Sequence, residues 1–249
     1  MARAKLSFPD AKSFYNIMEA LGKIVDEASV SITPESFKVV ALDPAHVVLI
    51  RIEIPNEAFI EYDVEEDGAK MGFNVETVSK ILKRGKKGDK VEIEVEDDRV
   101  TWSIISATVK RFRVLNVEVP QPEVPEAELD FNVKVSLIVD PFKNALKDVE
   151  AVSDTVELEA PAEDLLIVRG VGPAVAEAKI SADSPAVVEF SVKEPSKAAY
   201  SLDYLKNVIS LTKVADTITL EFSQDMPLRL VFQLPVGGTV TYMQAPKAS

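Results

Sequence analysis

Few side chains in this 249-residue chain could do covalent chemistry. There is no cysteine, which excludes disulfides, thiolate catalysis and cysteine-based zinc sites. Any Ser-His-Asp arrangement or imidazole ligand set would have to use the single histidine, His46. Its setting, "LDPAHVVLIRI", reads as apolar packing, so His46 is expected to be a packed, structural residue. Carboxylates in "EIEVEDD" (92–98) alternate with apolar residues, the pattern of a solvated strand face rather than of an acid/base pair. "EEDG" (65–68) lacks the spacing of a hard-cation loop and reads as an acidic turn. "RGVGPA" (169–174) has neither the Lys-Ser/Thr of a phosphate loop nor dinucleotide glycine spacing, and also reads as a turn. No catalysis, cofactor or metal is expected. The catalytic alternative is a β-rich hydrolase with an active-site cluster around His46.

What remains is charge. The formal net charge is -13, yet "SKILKRGKKGDK" (79–90) gathers Lys80, Lys83, Arg84, Lys86, Lys87 and Lys90. An acidic body repels nucleic acid at long range, so phosphate contacts must come from local cationic patches. Their usefulness depends on the elements that carry them.

Those elements repeat. "FNVETVSKILKR" from Phe73 and "YSLDYLKNVISL" from Tyr200 align Val75 with Leu202, Val78 with Leu205, Ile81 with Val208 and Leu82 with Ile209, one apolar stripe on a helix in each case. Each precedes an alternating strand, "DKVEIEVED" with Val91, Ile93 and Val95, and "DTITLEFSQ" with Ile218, Leu220 and Phe222. Nearer the start of each half, Phe14, Ile17, Met18 and Leu21 form one helical stripe, and Phe142, Ala145, Leu146 and Val149 another. Asp10 and Asp140 are the expected N-caps, with Pro141 in the first turn. Each half therefore reads as helix, strands, helix, strands. Between them "NVEVPQPEVPEAELD" (116–130) reads as an extended, acidic linker, because Pro120, Pro122 and Pro125 preclude a central strand.

Composition sets the frame. Hydrophobic residues make up 47% and charged residues 28%, ordinary for a globular chain. No run reaches the roughly 18 apolar residues needed to cross a bilayer. The opening "MARAKLSFPDAK" lacks the apolar stretch of a secretory signal, so a cytoplasmic protein is expected. Few Cys, Asn and Gln beside many Glu and Lys hint at a thermophile.

Placed on the helices, the cations form a pattern. Lys80, Lys83 and Arg84 share the face opposite Val75, Val78 and Leu82; Lys143 and Lys147 are an i, i+4 pair; Lys206 and Lys213 lie two turns apart; Lys12 and Lys23 bracket the first helix. Strands and loops hold most of the Asp and Glu. Helices lying side by side would make one basic surface matched to a row of phosphates. Aromatic residues do not interleave with these lysines and no arginine-rich groove reader is visible, so the expected contact is with duplex backbone, without sequence preference.

The chain resembles the DNA sliding clamps of the proliferating-cell-nuclear-antigen type in their archaeal form. The resemblance spans essentially all residues, through "ALDPAHVVLI" (41–50), "FNVETVSKILK" (73–83), the linker ending "EVPEAEL", "DMPLRLVF" (225–232) and "VTYMQAPK" (240–247). It implies an α+β DNA clamp fold: a domain over 1–116, a connecting loop over 117–129 and a similar domain over 130–249, each with two helices packed on antiparallel sheets. It further implies three subunits joined head to tail as a ring around double-stranded DNA, a homotrimer or a heterotrimer of related chains. Lys80, Lys83 and Lys147 fall where such clamps place DNA-facing lysines; Gly22 and Ser210 stand where relatives often have lysine, with Lys23, Lys206 and Lys213 as substitutes.

The same resemblance implies a docking pocket for short peptides of replication enzymes. Its matching positions are Leu42, Val47, Leu49, Val124, Pro125, Pro227, Met243, Ala245 and Pro246. Pro122 and Met243 depart from the usual residue types there. Subunit edges are expected in "SATVKRFRV" (106–114), with Lys110, Arg111 and Arg113, and in "PAVAEAKIS" (173–181), with Val175, Glu177 and Lys179. The three cations are expected to face Glu177. The implied partners are DNA polymerase, an ATP-driven clamp loader, flap endonuclease and DNA ligase, on nucleoid DNA in an archaeal cell. A checkpoint or scaffold ring without a polymerase role is the non-catalytic alternative.

Overall fold

A computed structural model describes residues 3–122, 124 and 129–247. The chain forms two compact units, Met1–Glu123 with Leu234–Val240, and Val124–Gln233 with Thr241–Ser249. The first carries β1 (Ala4–Phe8), α1 (Ala11–Leu21), β2 (Glu27–Ile32), β3 (Ser36–Leu42), β4 (Val48–Pro55), β5 (Glu61–Val64), β6 (Ala69–Asn74), α2 (Val75–Leu82), β7 (Lys90–Val95), β8 (Arg99–Ile105) and β9 (Val109–Leu115). The second repeats that order as β10 (Val133–Ile138), α3 (Val139–Glu150), β11 (Thr155–Ala162), β12 (Leu165–Val171), β13 (Val175–Ser181), β14 (Val187–Val192), β15 (Ser196–Ser201), α4 (Leu202–Leu205), β16 (Thr217–Phe222), β17 (Leu228–Gln233) and β18 (Thr239–Gln244), whose first residues group with the first unit.

The pairing repeats too. In the first unit β5-β1-β7-β8-β9 and β4-β3-β2-β6 run as hydrogen-bonded neighbours, and in the second β14-β10-β16-β17-β18 and β13-β12-β11-β15. Leu6 faces Ile93 across β1 and β7, as Val135 faces Leu220 across β10 and β16. The period-two pattern puts Val91, Ile93 and Val95, and likewise Ile218, Leu220 and Phe222, in the core. Phe14, Phe73 and Trp102 are fully buried in the first unit, the last two edge to face at 5.6 Å. Phe142, Tyr200, Phe222 and Phe232 fill the second. Each such side chain contributes about 1.5–3 kcal/mol by leaving water.

The helices start alike. The first helical N–H of α1, α2, α3 and α4 donates to the carbonyl of Asp89, Asp26, Asp216 and Asp154 respectively, each of these the residue just before a strand. One orphan donor per helix is thereby satisfied by backbone. Asp10 caps α1 as expected, its Oδ1 accepting from Ser13 N–H at 2.7 Å. Asp140 does not cap α3. Strand β10 runs directly into that helix, Ile138 is the N-cap with no side-chain bond, and Asp140 lies inside the first turn.

The last helix departs furthest from expectation. After Leu205 the chain tightens into a 3₁₀ helix over Lys206–Lys213. The segment is rich in residues of modest helix propensity, Asn207, Val208, Ile209, Ser210 and Thr212, and has no side-chain cap, whereas Asn74 caps α2 at 2.9 Å. The buried stripe accordingly has period three, Leu202, Leu205, Val208 and Leu211, and Ile209, expected in the stripe, is only half-buried. At three residues per turn, Lys206 and Lys213 no longer stand above one another. Ser210 is buried as well, although it lies outside that stripe.

Candidate nucleic-acid interface and docking surfaces

Within each unit the two helices lie side by side, α1 against α2 and α3 against the 3₁₀ segment. Lys12, Lys23, Lys80, Lys83, Arg84, Lys147, Lys206 and Lys213 are exposed, and Lys143 is half-buried. They divide into two kinds. Lys80 Nζ lies 2.6 Å from Glu76, Lys143 Nζ 3.3 Å from Asp140 and Lys206 Nζ 2.5 Å from Asp203, each within one helical turn. The hydrogen bond from Lys206 to Asp203 pushes the ammonium above its ordinary pKa. Lys12 sits 4.6 Å over the Tyr15 ring. Among the described residues Lys23, Lys83, Arg84, Lys147 and Lys213 have no carboxylate within ion-pair distance.

The basic turn after α2 is anchored by two acids. Asp10 Oδ2 accepts from Gly88 N–H at 2.8 Å and Asp89 Oδ2 from Lys86 N–H at 2.9 Å, leaving the Lys86 and Lys87 side chains in solvent. Gly88 has φ +87°, which favours glycine. Burial alone would raise the Asp10 carboxyl; the N–H donors of Gly88 and Ser13 outweigh it and hold the group below the usual carboxylate range.

Two of the outermost strands are the expected ones. In the first unit β9 ends its sheet, with Val109 54% and Leu115 73% exposed beside the exposed Lys110, Arg111 and Arg113. In the second β13 ends its sheet, with Val175 64% exposed. Within its own chain the Glu177 carboxylate, expected to face the three cations, already has partners. Its carboxylate lies 2.8 Å from Arg169 and 3.2 Å from Lys179, and the same guanidinium reaches Glu157 at 2.9 Å and Glu159 at 3.1 Å. Arg169 first, then Lys179, holds Glu177 below the ordinary carboxylate range. A neighbour would meet apolar side chains and backbone on β13 rather than a free anion.

The residues expected to dock partner peptides belong some to one unit and some to the other. Leu42, Val47 and Leu49 are half-buried in the first; Val124, Pro227, Met243, Ala245 and Pro246 are half-buried in the second; Pro125 lies outside the described residues. Leu42 borders a cavity of about 240 Å³ within the first unit, walled also by Val40, His46, Val119 and Pro120. His46 is therefore not packed: it is exposed on this rim, in a turn where its φ is +57°. The buried residue of that turn is Asp43, whose carboxylate accepts N–H groups of Ala45, Val47 and Val48 at 3.1, 2.7 and 2.5 Å. With its oxygens so committed, Asp43 is not available to orient an imidazole. His46, Val119 and Pro120 are rim residues missing from the sequence reading; the turn residues around Asp43 were the available signal.

Among the described residues no group of three or more His, Asp or Glu side chains could hold a metal, and no helix is long and apolar enough to cross a membrane. "EEDG" forms a turn in which Gly68 has φ +73°, and "RGVGPA" takes the end of β12 and the hairpin turn that precedes β13.

Two copies of one helix-pair unit on antiparallel sheets define the DNA clamp fold. Residues 1–124 match the N-terminal domain of proliferating cell nuclear antigen and residues 123–247 its C-terminal domain. The chain belongs to the proliferating cell nuclear antigen family. It is 38% identical over 243 residues to DNA polymerase sliding clamp 1 of Aeropyrum pernix, covering 95% of this chain and 97% of that one. It is 30% identical to the DNA polymerase sliding clamp of Pyrococcus furiosus, covering 98% of each. Two solved structures share the fold at 24% identity: PCNA from Thermococcus kodakaraensis with a TM-score of 0.91, and a chain of the PCNA2–PCNA3 complex from Sulfolobus tokodaii with 0.92, each covering 98% of this chain and 100% of the other.

Proposed function

We propose that this chain is a subunit of a DNA sliding clamp, a non-catalytic ring that encircles duplex DNA and tethers DNA polymerase to its template. The observation that carries the reading is the exposure of Lys12, Lys23, Lys80, Lys83, Arg84, Lys147, Lys206 and Lys213 on or beside the helix pairs of a chain of net charge -13, five of them without a carboxylate partner among the described residues. A trimer would carry about three times that negative charge, so phosphate contacts alone would give weak affinity for DNA. Retention is topological, and lysines touching many phosphates weakly permit sliding without a preferred register.

Closure uses the edges β9 and β13, paired between subunits as homotrimer or heterotrimer; the Sulfolobus tokodaii complex of two related chains supports the heteromeric form. Partner enzymes dock short peptides at the half-buried apolar residues around Leu42, with flap endonuclease and DNA ligase as further clients and a separate ATP-driven loader to open the ring. The working place is the cytoplasm, on nucleoid DNA. Domain limits of 1–116 and 130–249, with a connecting loop over 117–129, fit this reading.

The test is retention. The purified protein should shift linear duplex poorly in a gel, remain on nicked circular DNA after loading, and leave when the circle is cut. Equal retention on both forms would overturn the proposal.

A further inference from the structure

The linker leaves β9 through one residue that holds it to the rest of the first unit. Asn116 donates its backbone N–H to Asp98 O at 3.0 Å; its Oδ1 accepts from Gly72 N–H at 2.9 Å; its Nδ2 donates to Glu96 O at 3.0 Å and Lys70 O at 3.3 Å. The side-chain amide thus bonds through oxygen and nitrogen alike, standing in for a peptide group on the outer edge of β6, the last strand of its sheet. One residue on, Val117 N–H donates to Gly72 O at 3.0 Å. Gly72 allows this approach, since a Cβ there would lie 2.1 Å from Val117 O and 3.0 Å from Val119 Cγ2.

The second unit does the same thing at the matching place. Ala199 occupies on β15, also a sheet edge, the position Gly72 occupies on β6, and its carbonyl accepts from Lys247 N–H at 2.7 Å. Gln244, 1% exposed at the end of β18, donates its amide to Ser201 O at 3.0 Å. In both units an amide side chain at the end of the last strand, with a backbone bond just beyond, covers the edge that precedes the second helix.

Past Asn116, Val119 and Pro120 line both the cavity of about 240 Å³ and a larger cleft of about 1070 Å³. A strip so placed needs a fixed origin to keep its direction, and the prolines at 120 and 122 carry that direction onward because proline-rich chain is stiff over several residues. We propose that Asn116 is a positioning residue for partner-peptide capture: by riveting the start of the linker to β6, it holds Val119 and Pro120 as a wall of the pocket. The proposal rests on the pocket reading given under Proposed function.

Two variants attack the rivet from opposite sides, Asn116→Ala by removing the amide and Gly72→Ala by pushing Val117 away. The probe is a synthetic peptide whose single helical turn presents one aliphatic and two aromatic anchors. Hydrogen exchange across Val117–Gln121 should speed up about tenfold in both variants, and peptide association should slow by about three- to tenfold with dissociation nearly unchanged, because the competent wall is less populated before binding. Asn116→Asp, which keeps the acceptor for Gly72 N–H and loses both donors, should fall between. Unaltered exchange in both variants, or unaltered association despite faster exchange, overturns the proposal; should Asn116→Ala not fold, Gly72→Ala decides by the same readouts. Absence of binding by the unaltered chain would instead overturn the pocket reading itself, and the exchange arm keeps the two failures apart.

Discussion

Arg169 Nη2 lies 2.8 Å from Glu177 Oε2 across the β12–β13 pair, and the same guanidinium also reaches Glu157 and Glu159. Glu177 is thus neutralised within its own sheet, which bears on how β13 can meet another chain. On the proposed reading the pairing surface is the backbone edge with Val175, with Glu177 already engaged by Arg169 before Lys110, Arg111 and Arg113 could reach it. Glu177→Gln should leave the molar mass from light scattering unchanged, while Val175→Asp, which sets a charge on the exposed apolar rim, should shift it toward a single chain. Both positions are exposed, so thermal midpoints should barely move. Dissociation by Glu177→Gln alone would restore the ionic account.

The helix cations give a second prediction. Glu76, Asp140 and Asp203 neutralise Lys80, Lys143 and Lys206 within one turn, which weakens their pull on phosphates. The variant Glu76→Gln/Asp140→Asn/Asp203→Asn should bind linear duplex more tightly, with a log–log salt slope steeper by about 0.9 for each further phosphate neutralised, and should slide more slowly. Replacing Lys83, Arg84, Lys147 and Lys213 with alanine should flatten the slope and reduce polymerase stimulation. Salt slopes measured between about 50 and 200 mM decide it; no change in either variant would remove these helices from the DNA-facing surface.

Asp10 links acid stability to the basic turn. Its folded pKa is lowered, so its contribution is fully present above the unfolded value near 3.8 and is lost as pH falls through the lower folded value. Asp10→Ala should cost about 1–2 kcal/mol at pH 7 in urea denaturation, and the gap between the two proteins should narrow below about pH 4. A gap independent of pH would show that the carboxylate charge is not what holds Gly88 and Ser13.

Much of this was legible in the sequence because the same physics is written twice. Val91 with Ile218 and Phe14 with Phe142 are repeated core positions, and burial at period 2 or 3.6 is a local signal. The exposed lysines followed from helix spacing, and the edges β9 and β13 from the family resemblance. What was illegible depends on partners distant in sequence. That Arg169 would claim Glu177, or Asn116 meet Gly72, is set by strand register, which composition does not encode. The first N–H of α1 meeting Asp89 is of the same kind, although an Asp before each of four strands was a visible repeat. His46 was misread because the apolar run after it belongs to β4, which starts at Val48, while the preceding turn lifts the imidazole into solvent.

The 3₁₀ segment after α4 yields the last prediction. Ser210 is 3% exposed, and its hydroxyl has no hydrogen-bond partner among the described residues. A buried, unpaired hydroxyl costs about 1–3 kcal/mol, and serine is a poorer helix former than alanine by about half a kcal/mol. Ser210→Ala should therefore stabilise the protein by about 1 kcal/mol in urea, raising the midpoint with no change in slope. Ser210→Lys should lower it, because position 210 is buried and a lysine there would press an ammonium into the core. A lysine there that left stability untouched would mean that position 210 is turned outward.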